Sequence, residues 1–482
     1  MNWILVFDIV YIIILVIVCL RIVYDTDSTL KTLAYLLFAI FVPVVGILFY
    51  FSFGINYRKR KIYSKKLTND DRLRQQLEWR IISYTETNLQ TFAEGVRDAK
   101  GLVKLLLKDS WSPLTSGNCV KVLINGEEKF PELLNAIRNA EHHIHIEYYI
   151  FEPDEIGTII KNELIRKARE GVEVRFIYDD FGSYSINSAF ENELRDAGAE
   201  IFPFHKIHFV PLANRLNYRN HRKIVVIDGR ISFVGGINVS DRYINDGRGR
   251  DLYWRDTHLF IEGTGCHYLQ YLFFCDWNFC SGQQLDPGPI YFNGRHHQSF
   301  DSKVQVAASG PDSPTATIML SLLKAITIAR EEILISTPYF IPGESILDAL
   351  TVASLGGVKV KLLVPGMSDS RIVNAAAWSY YADLLKAGVS IFLYRKGFIH
   401  AKTVIVDGYL SIVGTANMDY RSFDLNFEVN AVVYDGAVAR ELRNAFYEDI
   451  NYGEEIMLDR WLSRPLYKQM AERIARLLSP ML

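Results

Sequence analysis

One short pattern occurs twice in this chain and constrains its fold more than any other feature. The copies are Asn220-His-Arg-Lys-Ile-Val-Val-Ile-Asp-Gly and Ile399-His-Ala-Lys-Thr-Val-Ile-Val-Asp-Gly, which share His-x-Lys-x4-Asp. Each copy is followed by a run of mostly small residues that ends in asparagine, at Asn238 and at Asn417. A single match can arise by chance, but two matches with the same offsets indicate an internal duplication.

The residue types in the pattern are those of phosphate chemistry. In each copy one residue separates the histidine from the lysine: His221 and Lys223, and His400 and Lys402. Because side chains alternate along a strand, each pair is expected on one face. An imidazole can attack phosphorus or move a proton at neutral pH, and an ammonium group neutralises non-bridging oxygens. A lone histidine of this kind is more often a buried core or turn residue, but the repetition favours a catalytic role.

The two aspartates of the pattern are expected to have a supporting role. Asp228 and Asp407 lie an odd number of residues from their histidines, and thus on the opposite face of a regular strand. Each leads an Asp-Gly pair between two apolar runs, which predicts a β-hairpin turn. We therefore interpret them as turn-forming members of the two motifs rather than as proton carriers.

The duplication extends well upstream of the motifs. Three further segments match: 133–151 with 322–340, 169–174 with 355–360, and 196–201 with 386–391. In each half the predicted order is helix, strand, helix, strand, helix, strand, and then the motif hairpin. The sequence therefore predicts an α/β fold with two similar lobes of roughly 180 residues each, a common domain size.

The N-terminal segment differs in kind from the rest. Residues 3–20 are apolar apart from Asp8, and residues 32–53 are apolar throughout, so each is long enough to cross the ~30 Å hydrocarbon layer as a helix. No basic residue precedes the first segment and no small-residue cleavage pattern follows it, which favours a retained span over a signal peptide. The sequence predicts a transmembrane hairpin with Asp8 at the interface.

A basic run at residues 58–66 follows the second apolar segment. It carries six lysines and arginines, whereas the short loop between the apolar segments has two, offset by two aspartates. The positive-inside rule places this run, and everything after it, in the cytoplasm. The run would also attract anionic headgroups, at ~1 kcal/mol per basic side chain.

Composition narrows the choice of partners and cofactors. The formal net charge of −2 gives no reason to expect nucleic acid. The five cysteines are odd in number and lack metal-type spacing, which favours reduced thiols. His142, His143 and His145 begin a predicted strand with nothing organised around them, so we interpret them as strand-edge histidines. Neither a metal nor another cofactor is expected.

Some side chains outside the motifs are open to two interpretations. Glu147 and Tyr149 are candidates for the mouth of the pocket. The apolar loop 209–212 is either a membrane contact or a packed surface loop, of which the second is more common. Near the C-terminus an apolar residue recurs every four residues, which predicts an amphipathic helix: Leu466, Met470, Ile474 and Leu478. Such a helix usually packs on its own protein and less often lies on a membrane.

The motifs and the two-lobe organisation resemble the phospholipase D superfamily, in which two such motifs meet across a pseudo-two-fold axis. Within it, the chain is similar along its whole length to bacterial cardiolipin synthases. The resemblance implies catalytic roles for the two His/Lys/Asp motifs and phosphate binding by Asn238 and Asn417. It also implies that Asp256 and Glu428 orient the two histidines, as a carboxylate on the far imidazole nitrogen does in other enzymes.

The expected reaction is a reversible phosphatidyl transfer between two phosphatidylglycerol molecules, which gives cardiolipin and glycerol. In it His221 attacks to form a phosphatidyl-histidine, and His400 acts as acid and then base. The alternatives are a membrane-bound phospholipase D that lets water attack, a tethered nuclease and an inactive membrane scaffold. The identity of the second lipid and the oligomeric state stay open.

The expected setting is a cell membrane that the chain crosses twice, with cytoplasmic catalytic lobes and anionic phospholipids as partners. The predicted domains are a transmembrane pair at 1–57, a basic juxtamembrane and helical linker at 58–118, a first lobe at 119–300, and a second lobe with the C-terminal helix at 301–482.

Overall fold

A 15-stranded sheet organises the computed structural model. The described residues are 3–26, 29–51, 85, 89, 98–204, 218–247, 252–285, 288–294, 299–368 and 370–479. The basic run at 58–66 and the loop 209–212 lie outside them.

The strands of the first half are β1 (Thr115–Ile124), β2 (His143–Tyr148), β3 (Glu173–Asp179), β4 (Glu200–Phe204), β5 (Ile224–Ile227), β6 (Ile231–Gly235), β7 (Tyr253–Arg255) and β8 (Thr257–Glu262). Those of the second half are β9 (Ser302–Ser309), β10 (Glu332–Ser336), β11 (Phe340–Ile341), β12 (Lys359–Pro365), β13 (Ser390–Tyr394), β14 (Gly397–Ile399), β15 (Thr403–Val406), β16 (Leu410–Gly414), β17 (Met418–Asp419), β18 (Glu428–Tyr434) and β19 (Gly453–Glu455).

The helices are α1 (Trp3–Asp25), α2 (Thr29–Phe41), α3 (Pro43–Phe49), α4 (Lys100–Ser110), α5 (Asn125–Arg138), α6 (Glu155–Arg169), α7 (Ser188–Asp196), α8 (Cys266–Ser281), α9 (Thr317–Ile328), α10 (Gly343–Leu355), α11 (Arg371–Lys386), α12 (Tyr420–Asp424), α13 (Gly436–Ile450), α14 (Leu458–Leu462) and α15 (Leu466–Arg476).

The two halves of the sheet have the same strand order. It runs β1-β8-β6-β5-β2-β3-β4 in the first half and β9-β18-β16-β15-β10-β12-β13 in the second, where β19 adds an edge strand. β1 and β9 pair antiparallel and join the halves. The predicted duplication and the α/β class are thus confirmed.

Both motif hairpins form where the sequence predicts them. β5 pairs antiparallel with β6, and β15 pairs antiparallel with β16. Asp228 and Asp407 open the two turns with φ of +53° and +48°, and the glycine after each also has positive φ. This left-handed backbone costs little at Gly and is tolerated by Asp, which explains the Asp-Gly pair.

The N-terminal apolar segments form three helices rather than two. α2 ends at Phe41, and Val42 adopts φ −131° and ψ 67° before α3 begins at Pro43. A proline disfavours the helical conformation for the residue before it, so the predicted single helix over 32–53 is wrong. Over the residues that the structure describes, no helix meets both the length and the apolarity that crossing a membrane requires.

The N-terminal helices pack on the first lobe. One apolar cluster contains residues of α1 and α2, and Tyr50 just after α3, together with residues of β3, β4 and α8: Val18, Ile22, Ala39, Tyr50, Ile177, Phe204, Phe273 and Trp277. Tyr218 and Phe427 belong to the same cluster. The N-terminal helices therefore lie beside the segments that carry one of the two motif histidines.

The histidines at the start of β2 are buried in the first lobe, not at a strand edge as predicted. His143 and His145 are fully buried, because α8 covers this face of the sheet. Gln270 of α8 bridges them, at 3.0 Å from His143 Nε2 and 2.7 Å from His145 Nδ1. Burial lowers the pKa of these imidazoles to about 3 and about 4, respectively. Both are therefore neutral members of the core.

Candidate active site

Each motif histidine is hydrogen-bonded to a carboxylate from the opposite half of the chain. His221 Nδ1 lies 2.9 Å from the Glu428 carboxylate, and His400 Nδ1 lies 2.7 Å from Asp256 Oδ2. Glu428 opens β18 of the second half, whereas Asp256 lies between β7 and β8 of the first. Both carboxylates are completely buried. The two pairs therefore cross between the lobes.

Short parallel strand pairs between the lobes hold these histidines in place. β14 pairs with β7, and the His400 N–H donates to the Arg255 carbonyl at 2.7 Å. On the other side the His221 N–H donates to the Phe427 carbonyl at 2.9 Å. In both cases the carbonyl belongs to the residue just before the carboxylate. One backbone contact therefore sets the position of histidine and carboxylate together.

The two carboxylates occupy equivalent places in the sheet although their sequence spacing differs. Gly235 pairs with His258, and Gly414 pairs with Asn430. Asp256 and Glu428 each precede that partner by two residues. The different spacing from the motifs is therefore taken up by the longer connection between β6 and β7.

The position next to each carboxylate differs between the halves. A Cβ atom at Gly236 would overlap Asp256 Oδ1, so a larger residue there would displace the carboxylate. The matching residue of the second motif is Thr415, whose hydroxyl donates to Glu428 at 2.5 Å. Gly236 leaves space for the Asp256 carboxylate, and the Thr415 hydroxyl gives Glu428 one more hydrogen-bond donor.

The two motif lysines lie in the same buried space. Lys223 Nζ donates to the His221 carbonyl at 2.7 Å, and Lys402 Nζ donates to that of His400. Burial lowers the pKa of Lys223 to about 7; Glu428 opposes this shift and the like charge of Lys402 adds to it. Two ammonium groups confined in this way favour an anion between them.

Both imidazoles are neutral at physiological pH. Burial lowers the pKa of His400 to about 3, and Lys402 lowers it further, against the attraction of Asp256. Burial also lowers the pKa of His221. For Glu428, burial alone would raise the pKa, but His221 and Lys223 hold it below its usual value. A neutral imidazole that donates from Nδ1 to a carboxylate keeps its Nε2 lone pair for attack on phosphorus.

The two motif asparagines have different surroundings. The side chain of Asn238 accepts from the Ile150 N–H at 3.3 Å and donates to the Tyr243 hydroxyl at 2.9 Å. Asn417 Oδ1 is buried, and among the described residues it has no hydrogen-bond partner. The phosphate-binding role stays a prediction for both, and at Asn238 the second N–H of the amide would perform it.

The motif aspartates lie away from the histidines. Asp228 accepts three backbone N–H bonds, from Glu141, His142 and His143. Asp407 does the same with Arg330, Glu331 and Glu332, at 2.8 to 2.9 Å. Each carboxylate thus ties the hairpin turn to the start of the neighbouring strand, β2 or β10. This geometry supports the supporting role that the sequence suggested.

Aromatic rings line the two histidines. The Tyr149 ring centroid lies 4.7 Å from that of His221, and Trp254 lies 5.6 Å from His400. Glu147 does not reach the mouth, since it is completely buried and bonded to the Asn220 amide. Of the two residues predicted at the mouth, only Tyr149 lies beside the histidine.

Sequence reasoning missed a buried cation behind the first motif. Lys129 of α5 is completely buried, and its ammonium group lies over the rings of Phe130 and Tyr148 at 4.5 and 4.7 Å. It also donates to the carbonyls of Ile237 and Asn238, at 3.3 and 3.4 Å. A lysine on the apolar face of a predicted helix was the only available signal.

Two arginines that sequence reasoning also missed border Tyr149. Burial raises the pKa of Tyr149 to about 12, while the nearby charges of Arg219 and Arg421 oppose that shift. The Arg219 carbonyl accepts from Phe427, and the Arg421 carbonyl accepts from Asn426, both at 2.9 Å. The carboxylates of Asp179 and Glu428 also act on Tyr149, so both signs of charge surround the ring beside His221.

The described residues contain no group of three or more His, Cys, Asp or Glu side chains placed to hold a metal ion. The side chains around the two motifs supply two neutral imidazoles with fixed tautomers and two ammonium groups.

Comparisons with known proteins show which family the chain resembles. A family model described as "Cardiolipin synthase, PLD-like domain" matches residues 133–258 and 322–450, and one described as "Phospholipase_D-nuclease N-terminal" matches residues 9–54.

Two curated relatives cover nearly the whole chain. The major cardiolipin synthase of Bacillus subtilis is 41% identical over 93% of this chain and 93% of its own length. A cardiolipin synthase of Alkalihalophilus pseudofirmus is 40% identical over 95% of this chain and 90% of its own length.

Among solved structures, phosphatidylserine synthase of Haemophilus influenzae covers 80% of this chain and 100% of its own, with a TM-score of 0.58 and 15% identity. That likeness shows the two-lobe fold.

Proposed function

The chain belongs to the family of phospholipase D-like cardiolipin synthases, and on that premise we propose that it transfers a phosphatidyl group between two phosphatidylglycerol molecules to give cardiolipin and glycerol. The observation that carries the proposal is the crossed arrangement of His221–Glu428 and His400–Asp256 around two buried lysines. It supplies two imidazoles with distinct tasks in one anion-binding site.

In the first step His221 Nε2 attacks the phosphorus of the donor lipid. The new P–N bond forms as the bond from phosphorus to the glycerol oxygen breaks, and that oxygen takes a proton from His400. His400 is neutral in the empty site, but an anionic phosphodiester next to it raises its pKa, so that it becomes protonated as substrate binds. The product is a phosphatidyl-histidine and free glycerol.

In the second step His400 returns to the role of base. It takes the proton from the hydroxyl of a second phosphatidylglycerol, whose oxygen attacks phosphorus while the P–N bond breaks. Cardiolipin leaves with His221 neutral, and His400 releases the proton that it took from the hydroxyl to water once the anion has gone. One phosphodiester is exchanged for another, which accounts for a reversible reaction without an activated nucleotide.

The buried lysines and the carboxylates stabilise charge through both steps. Lys223 and Lys402 face the non-bridging oxygens, where charge grows in the transition state. Glu428 and Asp256 stabilise the positive charge that each imidazole carries in turn. Because the site is buried, these interactions are stronger than they would be in water.

The N-terminal helices support a membrane setting for this reaction. Side chains of α1 and α2 expose a broad apolar surface, including Ile13, Ile17 and Leu37, each about half exposed or more. Contact with lipid would bury that surface. We propose a multi-pass anchor in the cell membrane, cytoplasmic lobes, and phosphatidylglycerol and other anionic phospholipids as partners.

Purified full-length chain in phosphatidylglycerol vesicles tests the proposal. We expect cardiolipin and an equal amount of glycerol with no nucleotide added, and neither product from His221→Ala. Accumulation of phosphatidic acid would indicate water as the acceptor and a phospholipase D. A strict need for a nucleotide-activated lipid would refute the proposal.

A further inference from the structure

The C-terminal helix α15 is attached to the second lobe by its polar side. Arg464 makes a double hydrogen bond to Glu472, at 2.7 and 2.9 Å, and Glu472 is buried. Arg476 lies 3.6 Å from Asp383 of α11 and 4.2 Å from the centroid of the Tyr380 ring. These ionic and polar contacts determine how the helix is turned.

The apolar stripe of α15 consequently faces outward. The exposed fractions are 78% for Leu466, 54% for Met470, 59% for Ile474 and 78% for Leu477. Tyr467 adds another exposed ring at 71%. The helix therefore contradicts the common pattern in which an amphipathic helix packs its apolar side on its own protein.

The side chains beside the stripe indicate what covers it. Lys468 and Arg473 are exposed on the same helix, next to the apolar residues. An apolar stripe bordered by basic side chains suits an anionic lipid surface, where the apolar groups enter the headgroup boundary and the cations meet phosphates. A second copy of α15 would place the same cations opposite each other, which is unfavourable.

The position of the helix is compatible with the same membrane that holds the N-terminal helices. Burial raises the pKa of Tyr420 to about 12 and nearby Arg476 opposes this, so the end of α15 lies close to the start of α12. Leu425, just beyond α12, packs on the cluster that includes the N-terminal helices. Both apolar elements therefore border the segment between Asn417 and Glu428.

We propose that the stripe formed by Leu466, Met470, Ile474 and Leu477 docks on the surface of an anionic bilayer and holds the second lobe against it. The N-terminal helices pack on the first lobe, so this contact gives each half its own attachment. The inference concerns lipid contact alone and does not depend on which phospholipid reaction the site performs.

A pair of matched double variants of the full-length chain tests this contact. Met470→Glu with Ile474→Glu should lower the initial rate on vesicles of phosphatidylcholine and phosphatidylglycerol by about tenfold, the factor that corresponds to ~1.4 kcal/mol of lost interaction. The rate on short-chain, micelle-free phosphatidylglycerol should stay unchanged. The control is Val352→Glu with Leu355→Glu, since both residues are 71% exposed on another helix. An equal loss in the control, or on the short-chain lipid, would overturn the proposal.

Photo-crosslinking gives a second readout that does not depend on activity. A benzophenone amino acid at Leu466 should crosslink to lipid in these vesicles, and one at Leu355 should not. If Leu466 crosslinks to a second protein chain instead, or if the Met470/Ile474 variant changes from dimer to monomer in detergent, the stripe is a protein interface and the proposal is wrong.

Discussion

His400 of the second lobe depends on Asp256 of the first, whose Oδ2 lies 2.7 Å from its Nδ1. The reverse pairing joins His221 to Glu428. Neither half therefore contains a complete histidine–carboxylate pair. A change in one half is expected to impair the histidine of the other, and this crossing can be tested directly.

Asp256→Asn should resemble loss of His400, and Glu428→Gln should resemble loss of His221. Each variant should lower kcat by roughly 10²- to 10⁴-fold, because an amide neither fixes the same tautomer nor stabilises the cation. With a lipid whose leaving alcohol is acidic, Asp256→Asn should still form the covalent intermediate rapidly, whereas Glu428→Gln should not. If Glu428→Gln forms the intermediate rapidly and Asp256→Asn does not, our assignment of the two carboxylates to the two histidines is wrong.

The two histidines should fail in different ways. His221→Ala should abolish any covalent phosphatidyl-enzyme, since no protein nucleophile then reaches phosphorus. His400→Ala should still form it from an activated, labelled phosphodiester, and acid quenching would preserve the label for counting. Label on His221→Ala but not on His400→Ala would show that the roles are reversed. Label on no variant, nor on the unmodified chain, would favour direct attack by the second lipid.

Substrate capture should weaken above neutral pH. The pKa of Lys223 in the empty site is lowered to about 7, so its ammonium group is charged below that pH and neutral above it. Because kcat/KM reports the free enzyme, it should fall as pH rises through about 7, while kcat, measured with the anion bound, should fall only at higher pH. In Lys223→Arg, whose guanidinium stays charged, the descending limb of kcat/KM should move to higher pH. If the descending limb does not move in Lys223→Arg, the group that titrates is not Lys223.

Asp228 should matter for stability more than for chemistry. Its removal in Asp228→Ala leaves three backbone N–H groups without their acceptor. We expect the free energy of unfolding to fall by about 3 kcal/mol or more, because a hydrogen bond to a charged group is worth roughly 1.5–3 kcal/mol. The correctly folded fraction should keep kcat within a few-fold of the unmodified chain. Asp407→Ala, the equivalent change in the second half, should behave in the same way. A complete loss of kcat in well-folded Asp228→Ala would indicate a catalytic carboxylate.

Topology can be tested with a membrane-impermeant maleimide on intact cells. A cysteine at Tyr24, at the exposed end of α1, should react, and one at Lys359 in the second lobe should react only after permeabilisation. The parent chain with its native cysteines gives the background. Labelling of Lys359→Cys in intact cells would place the lobes outside.

Local patterns in the sequence were sufficient to predict the repeated α/β order and the Asp-Gly hairpins. Both follow from the alternation of apolar and polar residues and from the residue preferences of tight turns, which act within a few residues. The pairing of carboxylates with histidines was not predictable in this way, since it arises where the two lobes meet. The different spacing of Asp256 and Glu428 hid their equivalence, which appears only in the strand register.

Other features depend on packing between segments that are distant in the sequence, which hydrophobic periodicity does not predict. The four-residue repeat predicted α15 correctly, but the pairs Arg464–Glu472 and Arg476–Asp383 turned its apolar stripe outward. His143 and His145 of β2 were predicted as strand-edge residues because α8, the helix that covers them, comes more than a hundred residues later in the sequence. Residues 32–53 were predicted as one helix although they contain Pro43, because proline is tolerated in membrane helices; the structure breaks the helix at Val42.

Because β1 and β9 pair within one continuous sheet, no hinge separates the two halves. Hydrogen bonds of the central sheet and of β7 with β14 would have to break before the lobes could part. Substrates therefore have to reach the two histidines while the lobes stay joined. For the lipid substrates proposed above, entry by lateral diffusion then predicts that stiffening the acyl chains slows turnover even when the protein itself is unchanged.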